Sequence, residues 1–284
     1  MLKQDTNKIE IAGKIIEIEK RTGTKDGVDW ISGTVKVETG KDNIIPIGFY
    51  SSALTKDKKP NKIYASLQTV CDSYKTVAAG EEADTIVIDS AQLSENIFFP
   101  SPEALIRGFQ IQSSFFNRKT VVAGDEHAKF TLTGTIVSVV DEIKNDLPTG
   151  RLILKLLVVQ YGDKADIFDL VIDKPEAVNY VRNTCSEMDK IKVQGDIIIT
   201  EELEISEEPT AFGEPIEQVK RKTTRELIVK SATPPTPTDL TREQIDELLK
   251  KRETLTATKK AEAAAKQNAP KTQSTTNGAI GFQL

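Results

Sequence analysis

The chain has 284 residues, 38% of them hydrophobic, with 38 Lys and Arg against 43 Asp and Glu and a formal charge of −5. That length suits two domains of about 100 residues and a tail, and the acidic balance excludes a uniformly basic surface, leaving local patches as the way to hold a polyanion. Two distant cysteines, Cys71 and Cys185, and a single histidine argue against a disulfide framework and a Cys/His zinc site. No stretch approaches the ~20 apolar residues of a membrane span, and Met1–Lys8 shows no apolar run behind its charge, so neither a membrane anchor nor a signal peptide is expected.

A first strand is expected from Lys8 to Lys20, where Ile9 and Ile11 alternate with polar residues until Gly13 and the apolar phase then shifts to Ile16 and Ile18. A glycine followed by such a slip marks a bulge, which lets a small sheet curl. The loop Arg21–Gly27 leads to a strand over Asp29–Glu38. There Ile31, Gly33, Val35 and Val37 share one face, and Trp30, Ser32, Thr34 and Lys36 share the other. A third strand spans Asn43–Tyr50. Ile63, Leu67, Val70 and Tyr74 then recur at helical spacing. Thr85–Leu93 and Arg107–Phe116 read as strands four and five, with Phe98 and Phe99 in the loop between them.

The order then repeats at an offset of 121 residues, set by aligning Gly13 with Gly134. Strands are expected over Lys129–Val140, Arg151–Tyr161, Asp166–Ile172, Ile191–Thr200 and Arg225–Lys230. Pro148-Thr-Gly150 is expected to form a turn, Pro175 to open a helix, and the glutamates from Glu201 to Glu208 to form a loop. The implied division is a first domain over 1–122, a second over 123–232, a Pro-rich linker over 233–240, an amphipathic helix over 241–256 and a disordered tail with an apolar tip over 257–284. Thr241-Arg-Glu-Gln244 is a capping box that starts the helix, with Ile245, Leu248 and Leu249 on one side.

Three strands, a helix and two further strands, with a glycine in strand one, is the order of an OB-fold. The chain resembles the tandem OB-fold single-stranded-DNA-binding proteins of bacteriophages and mobile elements. The resemblance implies a mainly β protein of two five-stranded barrels, each with one helix, followed by a C-terminal helix and a tail. It also implies a cytoplasmic role, in the bacterial host if phage-encoded, in replication or recombination. One departure stands out: bacterial single-strand-binding proteins end in an acidic tail with an aromatic tip, whereas the last twenty residues here hold no acid, although Phe282 sits near the end.

Within that frame Trp30 is the leading candidate for base stacking, with Tyr50, Phe98, Phe99 and Tyr161 as weaker ones. Trp30 could instead cover a barrel mouth. Tyr161 shares its face with Arg151 and Lys155 but also with Ile153, Leu157 and Val159, which favours an interface there. Lys20, Arg21, Lys25, Lys36, Arg107, Arg151 and Lys155 are candidates for phosphate contacts, and the first copy is expected to bind more strongly than the second. Ile245, Leu248, Leu249 and Phe282 are candidates for docking replication or recombination proteins or a second copy of the chain. No phosphate loop, metal motif or catalytic constellation is found, so no enzyme, cofactor or metal is expected. The leading expectation is a non-catalytic single-stranded-DNA binder, with RNA left open. The alternative is a protein-binding or virion structural module.

Overall fold

The computed structural model describes residues 2–80, 82–208 and 216–268. It is mainly β. The first copy comprises β1 (Asn7–Lys25), β2 (Val28–Glu38), β3 (Ile44–Ser52), α1 (Lys62–Ser73), β4 (Thr85–Ser101), β5 (Ala104–Gln112) and the short β6 (Asn117–Arg118). The second comprises β7 (His127–Lys144), β8 (Leu147–Gln160), β9 (Lys164–Ile172), α2 (Pro175–Thr184), β10 (Asp189–Glu208), β11 (Ile216–Ala232) and the short β12 (Thr236–Pro237). A long helix, α3 (Arg242–Asn268), follows.

Each copy closes into a five-stranded ring. In the first, β1 pairs with β2, β2 with β3, β3 with β5 in parallel, β5 with β4, and β4 with β1. The second repeats this as β7–β8–β9–β11–β10–β7, again with one parallel contact, Leu227 beside Leu170. Both are OB-fold barrels with the helix between strands three and four. Closure needs strand one to bend. Its register against strand two slips between Ile15 and Glu17, and between Ile136 and Ser138 in the second copy. Gly13 lies where the backbone of β2 passes close: a Cβ there would sit 2.0 Å from the Glu38 carbonyl oxygen, and one at Gly134 would sit 2.4 Å from that of Leu157. The aligned glycines are thus crossing points, and the bulge falls three residues later.

Alternation fills the interiors. Ile31, Val35 and Val37 on β2 are fully buried, as are Leu154 and Leu156 on β8. Leu67 and Val70 of α1 plug the first barrel, and Val178 and Val181 of α2 the second. The barrels are joined through strand one of each. Asn7–Ala12 of β1 pairs antiparallel with His127–Leu132 of β7, so all twelve strands form one sheet. Buried polar side chains fix the joint. Asn43 donates to the Ile197 carbonyl at 3.0 Å and accepts from the Ile199 amide at 2.8 Å, while Asp5 accepts from the Val159 amide at 2.9 Å.

Several expected loops are strand. Arg21–Lys25 extends β1, because Thr22 and Thr24 favour strand and Asp26 and Gly27, both at positive φ, make a two-residue hairpin turn. Likewise Asn145 and Asp146 form the turn of the second copy, which puts Pro148-Thr-Gly150 inside β8. Phe98 and Phe99 lie on β4 in a hairpin arm, and Glu201–Glu208 lies on β10. Across that second arm Glu202 lies beside Lys222 in register, an opposite-charge pairing that favours the ladder. Thr236 and Pro237 of the expected linker pair with β10.

The helix starts as its capping box predicts: the Gln244 amide donates to Thr241 Oγ1 at 3.3 Å, and the Thr241 amide donates to Gln244 Oε1 at 2.9 Å. It runs twelve residues past the expected end at 256. The Ala-Lys-Glu-rich stretch after Ala257 has high helix propensity, and tertiary contacts hold it: Lys259 donates to the Ile97 carbonyl at 3.2 Å. The remaining tail lies outside the described residues.

Candidate nucleic-acid interface

The outer face of β1–β2–β3 in the first barrel carries the candidate site. Trp30 points away from the core, as its strand phase requires, and is half-buried because its indole rests against β1 at Gly23. A Cβ at Gly23, the residue opposite Trp30, would fall 2.6 Å from the indole Cζ2, so glycine is what seats the ring on the sheet. Tyr50 lies diagonally across on β3, opposite Ser32, and is 63% exposed. The two rings stand 6.4 Å apart between centroids with planes 28° apart. Tyr50 is open to solvent and the indole rests against the sheet at Gly23, so the pair offers ring surface of the kind that stacking on an unpaired base uses.

Lys25, Lys56 and Lys58 line the groove beside these rings, with Asp26. Among the described residues, none of these three lysines, nor Arg21, has an ion pair. Lys56 and Lys58 lie in the loop after β3 and join the site through its fold.

Other predicted cations are committed within the chain. Lys36 bridges Glu17 at 2.8 Å and Glu19 at 3.0 Å, and these hydrogen bonds raise its pKa. Lys20 bonds Asp72 on α1 at 2.7 Å, which raises its pKa too. Arg151 is held by Glu142 at 2.6 Å and Glu226 at 2.8 Å. Its hydrogen bonds hold the Glu142 carboxyl at about 2, well below the usual carboxylate range, and lower that of Glu226. An ion-paired cation must give up its partner before it can meet a phosphate, and the structure places Lys20, Lys36 and Arg151 in such pairs within the chain.

Phe98, 55% exposed, and Phe99 line a groove with Lys259 and Glu262 of α3, apart from the Trp30 group. Tyr161, 76% exposed, sits in the turn after β8. Arg107 and Lys155 meet in a cleft between the barrels.

Ile245 and Leu248, expected to dock a partner, are buried against Leu157 and Val159 of β8, with Leu249 packed at the edge. They are satisfied by the chain itself, because the outer face of β8 is apolar and requires cover. Arg252 of α3 pins the helix to the first barrel through Glu95, with Nε 2.6 Å from Oε2 and a second contact from Nη2. Both side chains are nearly buried, at 14% and 5% exposure. Phe282 lies outside the described residues. Sequence reasoning does not reach Gly23, Glu95, Arg225 or Arg252. For Gly23 the available signal is the two-residue Asp26–Gly27 turn, which sets the hairpin register that places it opposite Trp30.

A family model described as YorF matches residues 5–262. The chain belongs to the YorF family. No curated protein matches it. Among solved structures it is similar to the wild-type single-stranded DNA binding protein from Thermus aquaticus, at 11% identity and a TM-score of 0.49 over 84% of this chain and 97% of that one. A deletion mutant of the same Thermus protein gives 10% identity and a TM-score of 0.45 over 84% and 98%. A replication protein A heterotrimer bound to single-stranded DNA gives 9% identity and a TM-score of 0.21 over 90% and 53%. Among the described residues no helix is long and apolar enough to cross a membrane, and no cluster of three His, Cys, Asp or Glu side chains could hold a metal ion.

Proposed function

We propose that this YorF-family chain binds single-stranded DNA without catalysis, through the outer face of its first barrel. It would cover transient single strands during replication or recombination in a bacterial cytoplasm. The observation that carries this reading is the indole of Trp30 laid over Gly23 beside the exposed Tyr50, with Lys25, Lys56 and Lys58, which have no ion pair among the described residues, at the rim. Rings on a sheet stack bases of any sequence, and flexible lysines track the backbone. The chain is acidic overall, so local cationic groups such as this one have to supply the attraction.

Trp30 is the only tryptophan in the sequence, so its fluorescence reports this site alone. Oligo-dT should quench it, with affinity falling as salt rises, and RNA and duplex oligomers run in parallel would rank the ligands. An unquenched Trp30 in a chain that self-assembles or holds a protein partner would favour the structural-module alternative instead.

A further inference from the structure

A cleft between the barrels gathers more positive charge than its own carboxylates neutralise. It is lined by Glu95 and Arg107 of the first barrel, Lys155, Asp169 and Arg225 of the second, and Arg252 of α3. Arg252 and Glu95 neutralise each other. Arg107 reaches Glu95 only at 3.9 Å. Among the described residues Lys155 and Arg225 have no ion pair, and Arg225 makes only a long 3.4 Å hydrogen bond to the Phe109 carbonyl. Asp169, opposite Lys155 in register, is the carboxylate that remains against three cations.

The freedom of Lys155 has a cause in the sequence. The matching bulges align Lys36 of β2 with Lys155 of β8, opposite Glu17 and Ser138 respectively. Glu17 and Glu19, which hold Lys36, are replaced by Ser138 and Val140, so the lysine of the second barrel is left uncommitted.

We infer that this cleft binds a phosphodiester group, so that the second barrel grips a bound strand by its backbone and not by its bases. The inference rests on the single-stranded-DNA reading above. The cleft of about 240 Å3 falls below the range typical of drug-sized ligands and suits a compact anion. It offers no open ring for stacking, since its aromatic members Phe109 and Phe168 are buried in the cores. Guanidinium groups match phosphate oxygens in a planar fork. The cleft also lies on the same sheet as the aromatic pair. β3 and β5 meet at Ile47 and Ile111; Tyr50 is three residues from that contact and Gly108 three residues the other way. At about 3.3 Å per residue the two places are roughly 20 Å apart, within reach of one bound segment of ~4–16 nucleotides.

The test is oligo-dT binding to the full chain at several salt concentrations, for wild type, Lys155→Ala/Arg225→Ala and Asp169→Asn. The double variant should lower the slope of log affinity against log salt by about 1.4, the value for two phosphate contacts on a single strand, while Trp30 quenching at saturation is kept. Asp169 is exposed, so its replacement tests the same cleft in a well-folded chain and should strengthen binding a few-fold. Unchanged slopes in the double variant, or unchanged affinity in Asp169→Asn, with Trp30 still quenched, would overturn the cleft and leave the first-barrel site standing. A wild type that shows no quenching would overturn both.

Discussion

The two barrels share strand order, bulges and crossing glycines, yet they spend their outer faces differently. On the first, Ser32 lies opposite Tyr50, and Trp30 rests on Gly23. The bulge alignment that equates Lys36 with Lys155 equates Ser32 with Arg151, so the second barrel has a guanidinium clamped by Glu142 and Glu226 where the first keeps a small residue beside a ring. Further along the same face, Leu157 and Val159 are sealed under Ile245 and Leu248 of α3. One barrel thus leaves its face open and aromatic, and its twin covers most of that face with an ion-pair cluster and a helix, leaving Lys155 between them at the cleft. Duplication supplies the scaffold; a handful of outward-facing residues decide whether it receives a ligand or a piece of its own chain.

The largest effect should come from breaking the pin between helix and first barrel. Glu95→Ala leaves the Arg252 guanidinium nearly buried without its partner, which should cost about 3–5 kcal/mol of stability in urea unfolding. A loss under ~1 kcal/mol would mean the pair behaves as an exposed surface bridge and α3 is not clamped there.

A smaller effect separates the barrels by pH. Arg151 holds Glu142 at about 2 and lowers Glu226, against an ordinary value of 4.5. A depressed carboxylate stabilises the fold above its unfolded pKa, so this contribution is present above pH ~4.5 and is lost as pH falls toward 2. Thermal melts between those values should show a slope that Arg151→Ala flattens and Trp30→Ala leaves alone. Equal slopes in Arg151→Ala and wild type would assign the acid sensitivity elsewhere.

Much of this architecture is legible in the sequence. The order of elements follows from periodicity and from the repeat around Gly13 and Gly134, and the outward phase of Trp30 from simple alternation with Ile31 and Val35. The capping box at Thr241 needs only local chemistry. What is not legible depends on register and tertiary contact. Whether Lys36 is free turns on Glu17 lying across the strand, and alternation does not reveal a cross-strand partner. The length of α3 is missed because the stretch after Ala257 has few apolar residues to mark a packed helix, whereas in the fold Lys259 meets the Ile97 carbonyl. Alternation marks the apolar face of β8 as an interface, but its occupant is Ile245 and Leu248 of the same chain. Phe98 and Phe99 read as loop because the arm carrying them contains two prolines, Pro100 and Pro102, near its tip.

The most direct test of the asymmetry compares one ring with its charged counterpart. Binding of a labelled oligo-dT should weaken about 5- to 150-fold in Trp30→Ala, the loss of roughly 1–3 kcal/mol of stacking on one base, and stay within about 2-fold of wild type in Arg151→Ala. If Arg151→Ala abolishes binding while Trp30→Ala binds as wild type, the ligand face belongs to the second barrel, and the open aromatic face of the first is not where the strand lies.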